Sequence, residues 1–254
     1  MPITAAQLEP GDILFKHASA GAVSGAIKKG QKSHLLKTIK SAGVGASGDA
    51  CDITHVAVAA GQNDVLEFDE GGSGTLNIIF KKGYGFVRGN MNLDSRKGNR
   101  YEVFKCLNPS LKNNVADKID LMWDISHQDT SNLTASYGLK KVISTAVGHN
   151  HGKSFSSTKD FEAQLDSWLQ SGVLRANRGR TLRTFTSRPN MQFFCSEFVT
   201  FVYLWAASEA KAGKIFGSDY LFGTDKSRIA PVELYSRIET MGKSFFTFKG
   251  TMYT

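Results

Sequence analysis

The chain has 254 residues, a net charge of +8 and a hydrophobic content of 41%, which suffices for a sizeable core in one large domain or two small ones. No apolar run reaches the roughly 18 residues that a membrane-spanning helix requires, and the N-terminus lacks the pattern of a secretory signal peptide. We therefore expect no transmembrane segment, synthesis in the cytoplasm and, if the protein acts elsewhere, export by a specialised secretion system.

The first half of the chain predicts an antiparallel sheet, because short alternating or β-branched runs follow one another between turn signals. These runs are residues 11–17, 53–60, 64–68, 76–80, 84–88 and 101–107. Residues 18–50 interrupt them and are rich in glycine, alanine, serine and lysine. This composition predicts a flexible basic insertion with one helix near residues 33–40.

The second half predicts mainly helices, because its apolar residues recur at helical spacing. The predicted helices cover residues 115–126, 137–147, 161–169, 196–210 and 231–239, and residues 245–248 predict a last strand. We interpret residues 1–254 as a single α+β domain, with an antiparallel sheet packed against helices and a mainly helical insertion at about residues 108–190.

Cys195 is the strongest candidate nucleophile. Two phenylalanines precede it and the long apolar helix predicted for residues 196–210 follows it. A thiol at a helix N-terminus feels the positive end of the helix dipole, which favours the thiolate, and the free N–H groups of the first turn can bind an oxyanion. The alternative is a buried structural cysteine.

His55 is the candidate base, because its polar ring interrupts the apolar strand predicted for residues 53–60. Glu67 lies in the next predicted strand, where a carboxylate could orient the ring and stabilise the imidazolium. The alternatives are a hydrogen-bonded core histidine and an exposed strand residue. The three cysteines of the chain form neither a disulfide framework nor a zinc-binding pattern, and this chemistry requires no metal or organic cofactor.

Five segments, taken in order, resemble the circularly permuted branch of the NlpC-type papain-like superfamily, which includes YiiX-like proteins and the lecithin retinol acyltransferase group. They are GDILF at 11–15, THVAV at 54–58, VLE at 65–67, FCSEFV at 194–199 and IAPVELY at 229–235. The resemblance implies a papain-like fold with the nucleophile at a helix N-terminus.

Carried over to this chain, the resemblance makes Cys195 the nucleophile, His55 the base and Glu67 the orienting group. Asp12, in the opening strand, is the second choice for the orienting carboxylate. Tyr137 is similar to a tyrosine that precedes the nucleophile helix in relatives, and we expect it to contact substrate.

Arginines cluster at residues 175–188, just before Cys195, and include Arg183 and Arg188. We expect both to help form an electrostatic landing surface for an anionic substrate, against the alternative of an ordinary solvated face. No motif for specific recognition of nucleic acid accompanies the charge. The glycine-rich residues 43–48 lack the strand and helix that dinucleotide binding needs, and His149 and His151 lack a third metal ligand.

The sequence therefore predicts a cysteine peptidase or amidase that cleaves an amide bond through a thioester acyl-enzyme. Within the superfamily, cell-wall peptides are the leading substrate, and a secreted antibacterial effector would have an immunity or secretion partner. The alternatives are a deamidase or protease acting on host proteins, a lipid acyltransferase, and a non-catalytic module that binds an anionic partner.

Overall fold

The computed structural model of the chain shows a mixed α and β architecture, in which a curled seven-stranded sheet is covered by helices. The structure describes residues 1–18, 22–35, 49–68, 86–91, 96–128, 136–137, 172–177, 180–185, 192–193, 195–209, 221–222, 229–240 and 244–254. In these parts of the chain, no helix combines the length and apolarity needed to cross a bilayer.

Seven of the strands form one mixed sheet. The strands are β1 Pro2–Ile3, β2 Ile13–His17, β3 Ile53–Gly61, β4 Asp64–Phe68, β5 Phe86–Asn90, β6 Arg100–Cys106, β7 Ser136–Tyr137, β8 Gly172–Asn177, β9 Arg180–Phe185, β10 Gln192–Phe193 and β11 Phe246–Tyr253. The large sheet has the order β1-β11-β6-β2-β3-β4-β5, and its pairs are antiparallel except for β1 with β11. The remaining strands pair as β7 with β10 and β8 with β9.

Four α-helices accompany the sheet: α1 Ala22–Gly30, α2 Pro109–Gln128, α3 Cys195–Glu209 and α4 Pro231–Thr240. A wider π-type turn, Gln31–Leu35, continues α1. Helix α2 starts where the Oδ1 atom of Asn108 accepts a hydrogen bond from the backbone N–H of Leu111 at 3.0 Å, which is a typical N-cap. Helix α4 starts at a proline, whose missing N–H costs nothing in the first helical turn.

Alternation along β2 divides the apolar core between the two faces of the sheet. Ile13 and Phe15 pack with residues of α2, α3 and α4 in the larger cluster. Leu14 belongs to a smaller cluster, with Ala5 and Leu8 from the N-terminal segment. The helices therefore cover one face, and the N-terminal segment covers part of the other.

Most of the first-half prediction is confirmed. Strands predicted at 11–17, 53–60, 64–68 and 101–107 are found as β2, β3, β4 and β6, with ends that differ by at most two residues. The strand predicted at 84–88 is β5, displaced by two residues, and the last strand, β11, continues to Tyr253. The strand predicted at 76–80 lies outside the described residues, as do the glycine-rich residues 43–48.

The helical reading of the second half is only partly right. Helices predicted at 115–126, 196–210 and 231–239 are found as α2, α3 and α4, whereas the helix predicted from Tyr137 is wrong at its start because this residue lies in β7. The hairpin of β8 and β9 was not predicted. The threonines of β9 favour a strand, but they lie between arginines, and the charge of this segment by itself predicts no strand. The helix predicted at 161–169 lies outside the described residues, as do His149 and His151.

The structure describes residues 22–35 of the basic insertion. Helix α1 covers Ala22–Gly30 and continues into the π-type turn Gln31–Leu35, and residues 36–40 of the predicted helix lie outside the described residues. Ile27 of this helix is buried, and Lys28 forms an ion pair with Asp52 at 2.7 Å. The described part of the insertion therefore contains a helix with a buried apolar side chain, and the flexibility of the insertion stays a prediction.

Gln31 fastens this insertion to the core. Its side chain is fully buried, and Nε2 donates to the carbonyl oxygens of Cys51 at 3.1 Å and Ile53 at 2.8 Å. Its Oε1 accepts from the backbone N–H of Val232 at 3.1 Å, in the first turn of α4. One amide thus connects the insertion, the start of β3 and α4.

We predict that Gln31→Met lowers the free energy of unfolding by about 2–4 kcal/mol, because it leaves buried backbone groups without partners while preserving side-chain volume. Chemical denaturation measures the change. Lys32→Met, at the next and exposed position, is the matched control and should change stability by less than about 0.5 kcal/mol. A loss below about 1 kcal/mol for Gln31→Met would show that the amide is not an important anchor.

Candidate active site

Cys195 is the first residue of α3 and is fully buried. The following helix is apolar around much of its circumference and packs Phe198, Val199 and Val202 into the larger core cluster. This packing fixes the helix, and with it the sulfur at the helix N-terminus. The unpaired N–H groups of the first turn and the positive end of the helix dipole both favour negative charge there.

His55 and Glu67 meet because of sheet register. Alternation along β3 puts His55 on the same face as Ala57, and Ala57 is the register partner of Glu67 on β4. Glu67 is therefore diagonal to His55, a separation that long side chains span. The Nε2 atom of His55 lies 2.8 Å from Oε2 of Glu67, and their side chains are only 14% and 6% exposed.

The ring of His55 also interacts electrostatically with the side chain of Cys195. Because Nε2 faces Glu67, Nδ1 is the ring nitrogen left for the sulfur. Burial by itself lowers the pKa of His55, but the charge and hydrogen bond of Cys195, together with those of Glu67, raise it well above its ordinary value. Both neighbours of the ring therefore favour its protonated form.

Glu67 has a second partner, Arg96, whose Nη2 donates to Oε1. Burial alone would raise the pKa of Glu67, but the hydrogen bonds and charges of His55 and Arg96 lower it from 4.5 to about 2. Each carboxylate oxygen thus has its own cationic partner. Glu67 stays ionised at every pH at which the histidine could act as a base.

Sequence reasoning missed Arg96 and Tyr101. Tyr101 is 1% exposed and interacts electrostatically with Arg96, so it adds a further polar group beside the guanidinium. Lys16 on β2 pairs in register with both His55 and Tyr101, which brings these residues to one region of the sheet. Arg96 lies in a polar turn with no distinctive pattern, and its role is visible only once strands remote in sequence are paired.

Asp12, the second choice for the orienting carboxylate, has other partners. Its Oδ2 accepts from Nζ of Lys249 at 2.7 Å and from the backbone N–H of Glu9 at 3.0 Å. It lies four residues before Lys16, the register partner of His55. Among the two candidate carboxylates, only Glu67 has a described hydrogen bond to His55.

The predicted substrate-contacting residues are described only in part. Tyr137 is the register partner of Phe193, two residues before Cys195, so the backbone of Tyr137 lies beside the segment that leads into α3. Arg183 lies in β9, where it pairs with Leu174 of β8. Arg188 lies outside the described residues.

The segment at 229–235, which contributes to the family resemblance, packs Tyr235 against Phe15 and Phe104 with edge-to-face rings at 5.2 and 5.6 Å. The hydroxyl of Tyr235 donates to Glu102 at 2.5 Å, and Glu102 also bonds to His17 at 3.0 Å. This second polar cluster joins α4 to β2 and β6.

The chemistry available at this site is that of a thiol, an imidazole and a fixed carboxylate that lie close together. Within the described residues, no group of three or more histidine, cysteine, aspartate or glutamate side chains could hold a metal ion. Searches against protein-family models, curated proteins and solved structures found no match for this chain.

Proposed function

We propose that the protein is a cysteine hydrolase of the papain-like type that cleaves an amide bond, with Cys195 as nucleophile and His55 as base. The observation that carries this proposal is the hydrogen bond between His55 and Glu67 at 2.8 Å, together with the electrostatic interaction of the same ring with Cys195 at the N-terminus of α3. A structural cysteine needs no such partners, whereas nucleophilic catalysis needs a nucleophile, a base and a group that orients the base.

The reaction follows from the charges of this series. The Cys195 thiolate attacks the carbonyl carbon, and N–H groups at the start of α3 are suited to bind the resulting oxyanion. The imidazolium of His55 then donates its proton to the leaving amine as the carbon–nitrogen bond breaks, which leaves a thioester. Neutral His55 next takes a proton from water, and the hydroxide attacks the thioester, releasing the carboxylic acid and restoring the thiol.

For the substrate, we propose an amide bond in cell-wall peptides. Two sequence properties support this choice: the resemblance to the NlpC-type superfamily and the net charge of +8, which attracts an anionic polymer. A secreted antibacterial effector fits both properties. An acyltransferase would form the same thioester and differ only in the acceptor that resolves it.

We predict that Cys195 reacts with iodoacetamide faster than Cys51 and Cys106, although all three are buried. At pH 6 an ordinary thiol is only about 0.3% thiolate, so a thiol that is activated by a neighbouring base reacts measurably faster. His55→Ala should slow labelling of Cys195 about 100-fold at that pH. Mass spectrometry of digested protein measures the three rates.

The control for this experiment is labelling after denaturation, in which all three thiols should react at similar rates. Cys195→Ala, which should keep the fold, must remove the fast phase. Equal and slow labelling of the three cysteines in the folded protein would contradict the enzyme assignment and favour a binding module.

We predict that Glu67→Gln slows labelling of Cys195 about tenfold at pH 7, a loss equivalent to one unit of pKa. The direction of the effect follows from the pKa of His55. Without the carboxylate this pKa falls, so the ring loses its proton at a lower pH than in the unmodified protein. Asp12→Asn is the matched control and should leave the rate unchanged. If Asp12→Asn were the slower variant, with both proteins folded, the orienting role would belong to Asp12.

We predict that incubation with purified peptidoglycan fragments yields products that together exceed the substrate by the mass of one water. Mass spectrometry identifies the cleaved bond, and Cys195→Ala is the control for contaminating hydrolases. Acyl transfer to an added amine or alcohol without hydrolysis would identify a transferase. If the fragments stay intact while other amide substrates are cleaved, cell-wall peptides are not the substrate, and the hydrolase proposal stands.

A further inference from the structure

The Glu67 carboxylate is held from two sides. Oε2 receives the hydrogen bond from His55 at 2.8 Å, and Oε1 receives that from Arg96. A carboxylate with one partner can rotate about its terminal bond, whereas one with a cation on each oxygen is fixed in its plane. The orientation of Glu67 toward the histidine thus depends on Arg96.

Burial makes this ion pair different from one on the surface. The side chains of Arg96 and Glu67 are 9% and 6% exposed. Removing one partner of a buried pair leaves a charge without compensation, which is far more costly than breaking an exposed pair. Tyr101, itself buried, interacts electrostatically with Arg96.

The backbone that carries Arg96 is also fixed. The N–H of Asn99 donates to the carbonyl oxygen of Arg96 at 3.1 Å, and the hydroxyl of Thr254 donates to the same oxygen. Gly98 adopts a φ of 82°, a left-handed conformation suited to glycine, and its N–H bonds to the carbonyl oxygen of Thr254. The turn before β6 is therefore anchored to the residue after β11.

On the basis of the proposed hydrolase function, we infer that Arg96 is a positioning residue, which acts through Glu67 to orient His55 toward Cys195. Arg96 is not a catalytic residue, because the described contacts of its guanidinium are to Glu67 and Tyr101 and not to the sulfur. Its guanidinium lies next in the order of side chains after the imidazole of His55 and the carboxylate of Glu67.

The charged and titratable groups around Glu67 come from several elements. They are His55 on β3, Arg96 before β6, Tyr101 on β6, Lys16 on β2 in register between His55 and Tyr101, and Cys195 on α3 through its bond to His55. Without the guanidinium, burial raises the pKa of Glu67, so the carboxylate takes up a proton at mildly acidic pH and no longer stabilises the imidazolium.

We predict that Arg96→Met slows iodoacetamide labelling of Cys195 roughly fivefold at pH 4.5 and by less than about twofold at pH 8, where Glu67 is ionised in both proteins. In a Glu67→Gln background, adding Arg96→Met should cause no further slowing, because the residue through which Arg96 acts is already neutral. A merely structural role would slow labelling at both pH values and in both backgrounds.

Arg100→Met is the matched control, since Arg100 lies four residues away and its guanidinium bonds to Glu102 at 2.8 Å. Cys195 in this variant should be labelled at the same rate as in the unmodified protein at both pH values. Arg96→Gln removes the charge but keeps a hydrogen-bond donor, and it takes the place of Arg96→Met if that variant does not fold.

The positioning role of Arg96 and the proposed hydrolase function can be tested separately. If Cys195 labels quickly and depends on His55, yet Arg96→Met and Arg96→Gln match the unmodified protein at pH 4.5, the positioning role of Arg96 is wrong and the hydrolase proposal stands. If labelling of Cys195 does not depend on His55, the proposed function itself is overturned.

Discussion

A carboxylate removed from water must be compensated by hydrogen bonds and positive charge, and the site is organised around this requirement at Glu67. Its side chain is 6% exposed and lies between His55 and Arg96. The compensation is mutual, because the carboxylate that is stabilised by two basic side chains also raises the pKa of His55. The side chain of Cys195 interacts electrostatically with the same ring. The properties of the ring beside the sulfur therefore depend on a carboxylate on a different strand.

The fold brings these groups together by different means. His55 and Glu67 meet through the register of β3 and β4, which are joined by a short turn. Cys195 comes from more than a hundred residues later in the sequence and is fixed by an apolar helix packed on the sheet. Local pairing thus builds the base and its carboxylate, while long-range packing supplies the nucleophile.

The parts of the site that sequence reasoning predicted are those that depend on local periodicity. Alternation placed His55 and Glu67 on adjacent strands, and the apolar pattern after Cys195 predicted α3. Arg96 could not be found in this way, because its partner lies on β4 and its turn is held by Thr254. The hairpin of β8 and β9 was not predicted for a different reason. The arginines of these strands form a basic cluster, which obscures the alternation of the side chains.

The position of β11 in the sheet affects the order in which the protein can assemble during synthesis. β11 lies between β1 and β6, so the strand that leaves the ribosome after all the other described strands is an internal one. Until it emerges, β6 has an unpaired edge, and the turn of Arg96 lacks the hydroxyl and backbone groups of Thr254. A nascent chain can already contain Cys195, His55 and Glu67 and still lack this anchor. The turn of Arg96 therefore gains its anchor only after β11 and Thr254 have been synthesised, so a nascent chain carries the side chains of the candidate site before this turn is held in place.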